Sequence, residues 1–379
     1  MTVVLTDEQN LIRQTAADFA AEKLRPYAAE WDEKKHFPVD VIREAAGLGF
    51  AGLYVNDDVG GSGLSRFEAV LVFEQLSQGC ISTAAYISIH NMCAWMIDRF
   101  GSDPVRREWL PKLTSMEFLS SYCLTEPSSG SDAAGLKTKA VKQGGDYVLN
   151  GAKQFISGAG VSDVYVVMAR TGQDGPKGIS TFIVQKSDKG VSFGANEKKM
   201  GWNSQPTKQV IFEDVRIPES RRVGAEGDGF RFAMAGLDGG RLNIAACSLG
   251  GMQDALNRSF AYVKERKQFG QAIADFQATQ FKLADMETET QAARVMLYNA
   301  AQQLDAKSPM ATRWCAMAKR FVTDTGFKVA NDALQLHGGY GYLSDYGVER
   351  IVRDLRVHQI LEGTNEVMRV IISRDMLRQ

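Results

Sequence analysis

The chain is poor in the residues that stapled folds and metal centres depend on, with five cysteines and four histidines in 379 residues. Cys80, Cys93, Cys123, Cys247 and Cys315 are far apart, odd in number and nowhere spaced CxxC. That excludes a disulfide framework and a structural zinc site, and it fits reduced thiols in a reducing compartment. His36, His90, His337 and His358 are equally scattered and no HExxH occurs, so no metal site is expected. No uninterrupted apolar run approaches the roughly 20 residues that span a bilayer. The amino-terminal MTVVLTDEQNLIRQTAADFA shows no basic leader followed by an apolar core, so a cytoplasmic protein is expected. Neither sign of charge is in excess: Lys+Arg 44 against Asp+Glu 45 give a net charge of -1. Such a balance offers no track for nucleic acid and no polybasic anchor for a membrane.

Several motifs are missing too. No GxGxxG turn opens a helix, and no strand–helix alternation supports a Rossmann site. Gly60-Gly61-Ser62-Gly63 lacks the GK[ST] of a phosphate loop and reads as a turn between helices. No GxSxG nucleophile elbow accompanies His337-Gly338-Gly339.

What is present changes period along the chain. From Thr6 to about Ser115 apolar residues recur at helical spacing, as in Leu11, Ile12, Ala16, Phe19 and Ala20, with Thr6 and Gln9 placed as a capping box. From about Glu117 to Gly224 the period is two. Val164 to Ala169, Ile179 to Gln185 and Gln209 to Phe212 read as short strands of an antiparallel sandwich or barrel. From Gly229 onward, long helices over Asn243 to Arg266, Phe276 to Asp305 and Pro309 to Leu336 predict a bundle that self-associates. The expected architecture is α+β: an N-terminal helical domain (1–117), a central antiparallel β-domain (118–226) and a C-terminal four-helix bundle (227–379).

Five stretches carry candidate chemistry. Tyr122-Cys123-Leu124-Thr125-Glu126-Pro127-Ser128-Ser129-Gly130-Ser131-Asp132 has the small and hydroxyl residues that let a backbone approach a bulky polar ligand, and reads equally well as a polar turn. Phe155-Ile156-Ser157-Gly158 puts an aromatic and a hydroxyl at a strand end, where a phenylalanine is more often core. Arg266-Lys267-Gln268-Phe269-Gly270 closes a long helix, where cations are favourable in any case. Gln335-Leu336-His337-Gly338-Gly339-Tyr340-Gly341 reads as a glycine-capped helix end. In His358-Gln359-Ile360-Leu361-Glu362-Gly363-Thr364-Asn365-Glu366-Val367 an apolar run delivers Glu362 beside a flexible glycine before a helix; alone, such a glutamate is most often a surface cap.

Together, LTEPSSGSD, FISG, RKQFG, QLHGGYGY and ILEGTNE resemble the acyl-CoA dehydrogenases, in order and spacing over nearly the whole chain. MGWNSQPT and RVHQILEGTNEVMRVIISRDML are most similar to the branch that acts on isobutyryl-CoA. The resemblance implies FAD between the β-domain and the C-terminal helices of a homotetramer. It implies that Tyr122, Cys123, Leu124, Thr125, Gly130 and Ser131, with Phe155, Ile156 and Ser157, line the flavin. Arg266, Phe269, Phe276, Gln277, Gln335, Leu336, His337, Gly338 and Gly339 would reach the FAD of a neighbouring subunit, and Thr364, Asn365 and Glu366 would complete the adenosine side. Ser131, Asp238, Arg241, Gly363 and Arg374 would contact the CoA ester. Glu362 would be the base that removes the proton alpha to the thioester. In two other branches the base comes from the helix beginning Leu237-Asp238-Gly239-Gly240-Arg241, where Gly240 holds that place here. Phe155 stands where the medium-chain branch often has Trp. The implied reaction is alpha,beta-dehydrogenation of a short acyl-CoA, isobutyryl-CoA before butyryl-CoA or 2-methylbutyryl-CoA. Electron-transferring flavoprotein would be the acceptor, with Trp202 either near that route or simply core. A mitochondrial-matrix location would follow if a leader had been removed. Against this stand an oxygen-using oxidase of the same superfamily and a silent CoA-ester binding scaffold.

Overall fold

The computed structural model describes residues 4–377. The chain opens with helices α1 (Asp7–Phe19), α2 (Ala28–Lys34), α3 (Val39–Ala46), α4 (Arg66–Gly79), α5 (Ile81–Phe100) and α6 (Asp103–Thr114). Local chemistry sets two of the starts. The Thr6 side chain accepts from Gln9 N while Gln9 reaches back to the Thr6 amide, and Ser65 and Glu68 repeat the device at α4. The glycine-rich stretch before α4 is a packed turn, and a Cβ on Gly61 would collide with the Val55 carbonyl.

The strands follow as β1 (Ser120–Cys123), β2 (Lys139–Gln143), β3 (Asp146–Ser157), β4 (Val164–Arg170), β5 (Ile179–Gln185), β6 (Val191–Phe193), β7 (Thr207–Pro218) and β8 (Arg222–Val223). They form one eight-stranded sheet in the order β6-β7-β3-β2-β4-β5-β8, with β1 beside β4. Pairing is antiparallel except where β1 runs parallel to β4 and β2 touches β4 at the single pair Lys139–Arg170. Tyr147, Tyr165, Phe182 and Phe212 fill one face of this sheet. Val164, Val166, Met168, Ile179 and Ile183 pack with α5 and α6.

The C-terminal helices are α7 (Gly229–Glu265), α8 (Gln277–Asp305), α9 (Ala311–His337), α10 (Val348–Arg356) and α11 (Asn365–Leu377); the hairpin β9 (Lys267–Gln268)/β10 (Gln271–Ala272) joins α7 to α8. Helix α7 begins at Gly229, well before Asn243, where the periodicity placed the start of the long helix. Its internal glycines are where neighbouring groups approach closely: a Cβ on Gly250 would meet the Glu74 carbonyl and Ser77 Oγ, and one on Gly251 the Ile81 side chain. Tight packing outweighs the roughly 0.5–1 kcal/mol each glycine costs in a helix. One core joins α4 and α5 to α7, α8 and α9. Among the described residues no helix is long and apolar enough to cross a membrane.

Candidate active site

A cavity of about 850 Å³ opens between the sheet and the C-terminal helices. Three local devices shape its walls. The first is a β-bulge: the register of β3 on β7 slips between Lys153 and Ile156. There Phe155 adopts φ 59, and its ring stands 63% exposed on the cavity wall rather than in the core. Bulges re-aim side chains in this way. The sequence alone favoured a core Phe155; the extra residue in the strand is what turns it outward.

The second device is a buried ion pair behind the loop after β1. Lys153 is fully buried and donates to Glu126 Oε1 at 2.8 Å and to the Leu124 carbonyl at 3.1 Å. Glu126 also accepts from the amides of Lys137 and Thr138. The Gln154 amide donates to the Thr125 carbonyl at 2.8 Å. The loop is thereby tied to β3, and Tyr122, Leu124, Thr125, Gly130 and Ser131 line the cavity with Phe155, Ile156 and Ser157.

The third device is the turn before α11. Glu362 and Gly363 are consecutive left-handed residues, with φ 56 and 84. Thr364 then caps the helix by accepting from Val367 N at 3.2 Å. The turn aims Glu362 into the cavity, where Oε2 is shielded and has no hydrogen-bond partner. Burial pushes the Glu362 carboxyl up to about 7, against the opposing pull of Arg241 and then Lys319. A Cβ on Gly240 would stand 2.5 Å from Glu362 Oε2 and 3.0 Å from its Cδ. The space at position 240 is thus the space the carboxylate uses. Arg241 Nε reaches the Glu362 carbonyl at 3.4 Å, and its Nη1 pairs with Asp238 at 2.6 Å.

Gly363, Thr364, Arg241 and Arg374 also line this cavity, as do Ser88, Ile89, Met92, Leu237 and Trp202. Trp202 is at the same time core, 5% exposed. Four of the expected residues present their side chains elsewhere. Cys123 is fully buried, its side chain in the sheet core, so only its backbone is near the cavity. Asn365 is 3% exposed and its side-chain amide is committed to Lys319, Thr323 and Asp324. Asp238 is occupied by Arg241 and Thr312 and does not line the cavity. Glu366 is exposed and lies off the cavity wall. The cationic residues Lys199 and Arg353 on the wall had no sequence signal beyond their charge, and Arg356 lies there with them.

The remaining expected residues gather elsewhere. Arg266, Gln335, Leu336, His337, Gly338 and Gly339 line a second cavity of about 380 Å³, and no residue lines both. Gly338, with φ 58, ends α9, and Cβ atoms on Gly338 or Gly339 would meet only open space. Phe269, 93% exposed at the hairpin tip, stacks edge-on with Phe276 at 6.2 Å; neither they nor the exposed Gln277 line either cavity.

A large flat cofactor suits these walls. Phe155 offers an exposed ring face, Thr125 and Ser157 offer hydroxyls, and Gly130 has no atom within 4 Å of where its Cβ would be. No group of three or more His, Cys, Asp or Glu fit to hold a metal occurs among the described residues.

Comparison with known proteins points the same way. Residues 6–117, 121–215 and 227–377 match the models of the acyl-CoA dehydrogenase N-terminal, middle and C-terminal domains. The chain is 57% identical over 376 residues to the mitochondrial isobutyryl-CoA dehydrogenase of Dictyostelium discoideum, covering 99% of this chain and 90% of that one. Among solved structures it superposes on butyryl-CoA dehydrogenase from Megasphaera elsdenii with TM-score 0.97 at 38% identity, covering 100% of both chains. A chain from the structure of the electron transferring flavoprotein of Acidaminococcus fermentans superposes with TM-score 0.98 at 40% identity, again over 100% of both.

Proposed function

The chain belongs to the acyl-CoA dehydrogenase family, and from that premise we propose that Glu362 is its catalytic base and isobutyryl-CoA its preferred substrate. The observation that carries the base assignment is the Glu362 carboxylate on the cavity wall, shielded and unpartnered at Oε2, in the space that Gly240 leaves open.

The enzyme is an FAD-dependent oxidoreductase. Thr125, Phe155 and Ser157 would hold the flavin, which would supply the acceptor for the hydride lost from the beta carbon. Glu362 takes the alpha proton as the carbon–carbon double bond forms. A carboxyl drawn up to about 7 is matched to that work, because general bases act best with a pKa near the working pH. Negative charge gathers on the thioester oxygen as the proton leaves. The Glu362 N–H, which has no hydrogen-bond partner among the described residues, is the chain's own donor to that oxygen. Ile89, Met92 and Leu237 give the wall its apolar character and keep water from the carboxylate.

Support for isobutyryl-CoA is the 57% identity to an enzyme of that name, and the reading places the reaction in valine breakdown. Butyryl-CoA is the second reading, favoured by the superposition on butyryl-CoA dehydrogenase. Electron-transferring flavoprotein is the proposed acceptor, supported by the likeness to a chain from that structure. The second cavity, remote from the first on its own chain, is assigned to the FAD of a neighbouring subunit in a homotetramer. The limits 1–117, 118–226 and 227–379 belong to the same proposal, their ends at 1 and 379 lying outside the described residues. The mitochondrial relative supports a mitochondrial location.

The test is anaerobic bleaching of the flavin absorbance, with isobutyryl-CoA and butyryl-CoA titrated in parallel. Preferential bleaching by isobutyryl-CoA supports the proposal, and preference for butyryl-CoA transfers it to the straight-chain substrate. A flavin that no acyl-CoA bleaches refutes it.

A further inference from the structure

Beneath the Glu362 turn lies a buried cation that the reaction as described does not use. Lys319, on α9, is fully buried, yet no carboxylate among the described residues comes within 4.0 Å of its Nζ. It donates instead to the Gly363 carbonyl at 2.8 Å and to Asn365 Oδ1 at 2.9 Å. Asn365 is fixed in turn, donating to Asp324 Oδ1 at 2.7 Å and Thr323 Oγ1 at 3.0 Å. The ammonium therefore grips the chain just after Glu362 and anchors it to α9.

As packing alone this is a poor choice. Burying an ammonium costs several kcal/mol, and Lys319 sits at the amino end of α11, where the helix's own partial charge is positive. A methionine would fill the space without either cost. Two gains remain for the charge. It holds the carbonyl of Gly363 in a turn whose Glu362 adopts φ 56. Non-glycine residues persist there only when their surroundings over-determine them. It also attracts the Glu362 carboxylate.

We infer that Lys319 is a positioning residue for the base: its grip on Gly363 and Asn365 aims the Glu362 carboxylate into the cavity, and its charge favours the ionised form. The inference rests on the assignment of Glu362 as base. Arg241 exerts the larger cationic pull on Glu362 and Lys319 adds to it, but only Lys319 grips the chain after the base. On α7, Arg241 is paired with Asp238 at 2.6 Å. On α9 and α11, Asp324 is bonded to Asn365 and Gln359, while the exposed Glu366 lies 3.7 Å from Arg369. His358 is drawn down to about 3 by burial and by Lys319, so it stays neutral. Burial holds Tyr122 on β1 and Cys93 on α5 well above their usual ranges, both protonated. Lys319 itself is drawn down to about 7 by burial, against the pull of Glu362.

The experiment uses the FAD-loaded enzyme and follows the anaerobic flavin-reduction rate against pH for wild type, Lys319→Gln and Lys319→Arg. FAD content and circular dichroism establish that each variant is folded. Glutamine keeps a donor but loses the charge, so the acid limb should rise by about one pH unit, within the range an adjacent opposite charge produces. Arginine keeps the charge, and its limb should stay at the wild-type position even if the rate falls. Should the glutamine variant fail to fold, Asn365→Asp replaces it: a carboxylate beside Nζ offsets the charge and should move the limb in the same direction. A folded Lys319→Gln or Asn365→Asp enzyme with the wild-type limb overturns the inference. So does an arginine variant shifted as far as the glutamine one. A wild-type enzyme that no acyl-CoA bleaches sinks the base assignment itself, whereas an active wild type with unmoved variants sinks only the role of Lys319.

Discussion

Gly240→Ala tests the active-site geometry most directly, because it separates the position of the base from the stability of the fold. The new Cβ would lie 2.5 Å from Glu362 Oε2, 3.0 Å from Cδ and 3.1 Å from Met92 Sδ. Ordinary contact needs about 3.4 Å, so the carboxylate must retreat by roughly 1 Å. A misplacement of that size costs about 10²-fold in rate, equivalent to about 2.7 kcal/mol of barrier. Stability should barely respond. Alanine gains about 0.5–1 kcal/mol over glycine inside α7, and the crowding of Met92 returns a similar amount. The assay is anaerobic stopped-flow bleaching by isobutyryl-CoA, beside the FAD-to-protein ratio and the melting temperature. The expected result is full FAD content, an unchanged melting temperature and a rate about 10²-fold lower. An alanine variant that bleaches at the wild-type rate would refute the claim that residue 240 and the base compete for one space.

Other perturbations have equally definite outcomes. Glu362→Gln should abolish bleaching while leaving the yellow cofactor bound. The same variant should be more stable than wild type in alkaline solution. The folded carboxyl is drawn up to about 7, so the native state binds its proton more tightly and loses stability as pH rises from the ordinary carboxylate range through 7. The gain is at most about 3 kcal/mol above pH 8 and vanishes near pH 4, which thermal melts at the two pH values would reveal. For wild type the reduction rate should fall about fivefold from pH 7 to pH 6, because a base near 7 is already half protonated at the start, and a flat profile there would argue against this base. Lys153→Met leaves Glu126 buried without its cation and should cost about 3–5 kcal/mol, seen as a lower melting temperature and FAD lost on dialysis. Phe155→Ala removes the exposed ring from the cavity wall and should weaken FAD retention by about 2 kcal/mol, measured as the free-flavin concentration needed to restore activity.

The sequence by itself determined the architecture and pointed to Glu362 as the proposed base. Period determined the first: helical spacing before Ser115, alternation from Val164 to Phe212 and long apolar-striped helices afterwards survive in the structure because each element buries one face against the next. Glu362 was legible through the joint resemblance of five stretches, although each was ambiguous alone. The tertiary structure decided what depends on two distant segments meeting. No local pattern shows that the space at Gly240 belongs to a carboxylate over 100 residues away, or that a bulge in β3 turns Phe155 out of the core. Asn365 and Cys123 carried the right motif, but packing committed their side chains elsewhere. Lys319 did leave a trace, a lysine among the buried Cys315, Ala318 and Val322 on one stripe of α9. A charge on an apolar face announces that something must satisfy it. What satisfies it is the turn that holds Glu362, and only the folded chain brings that turn onto α9.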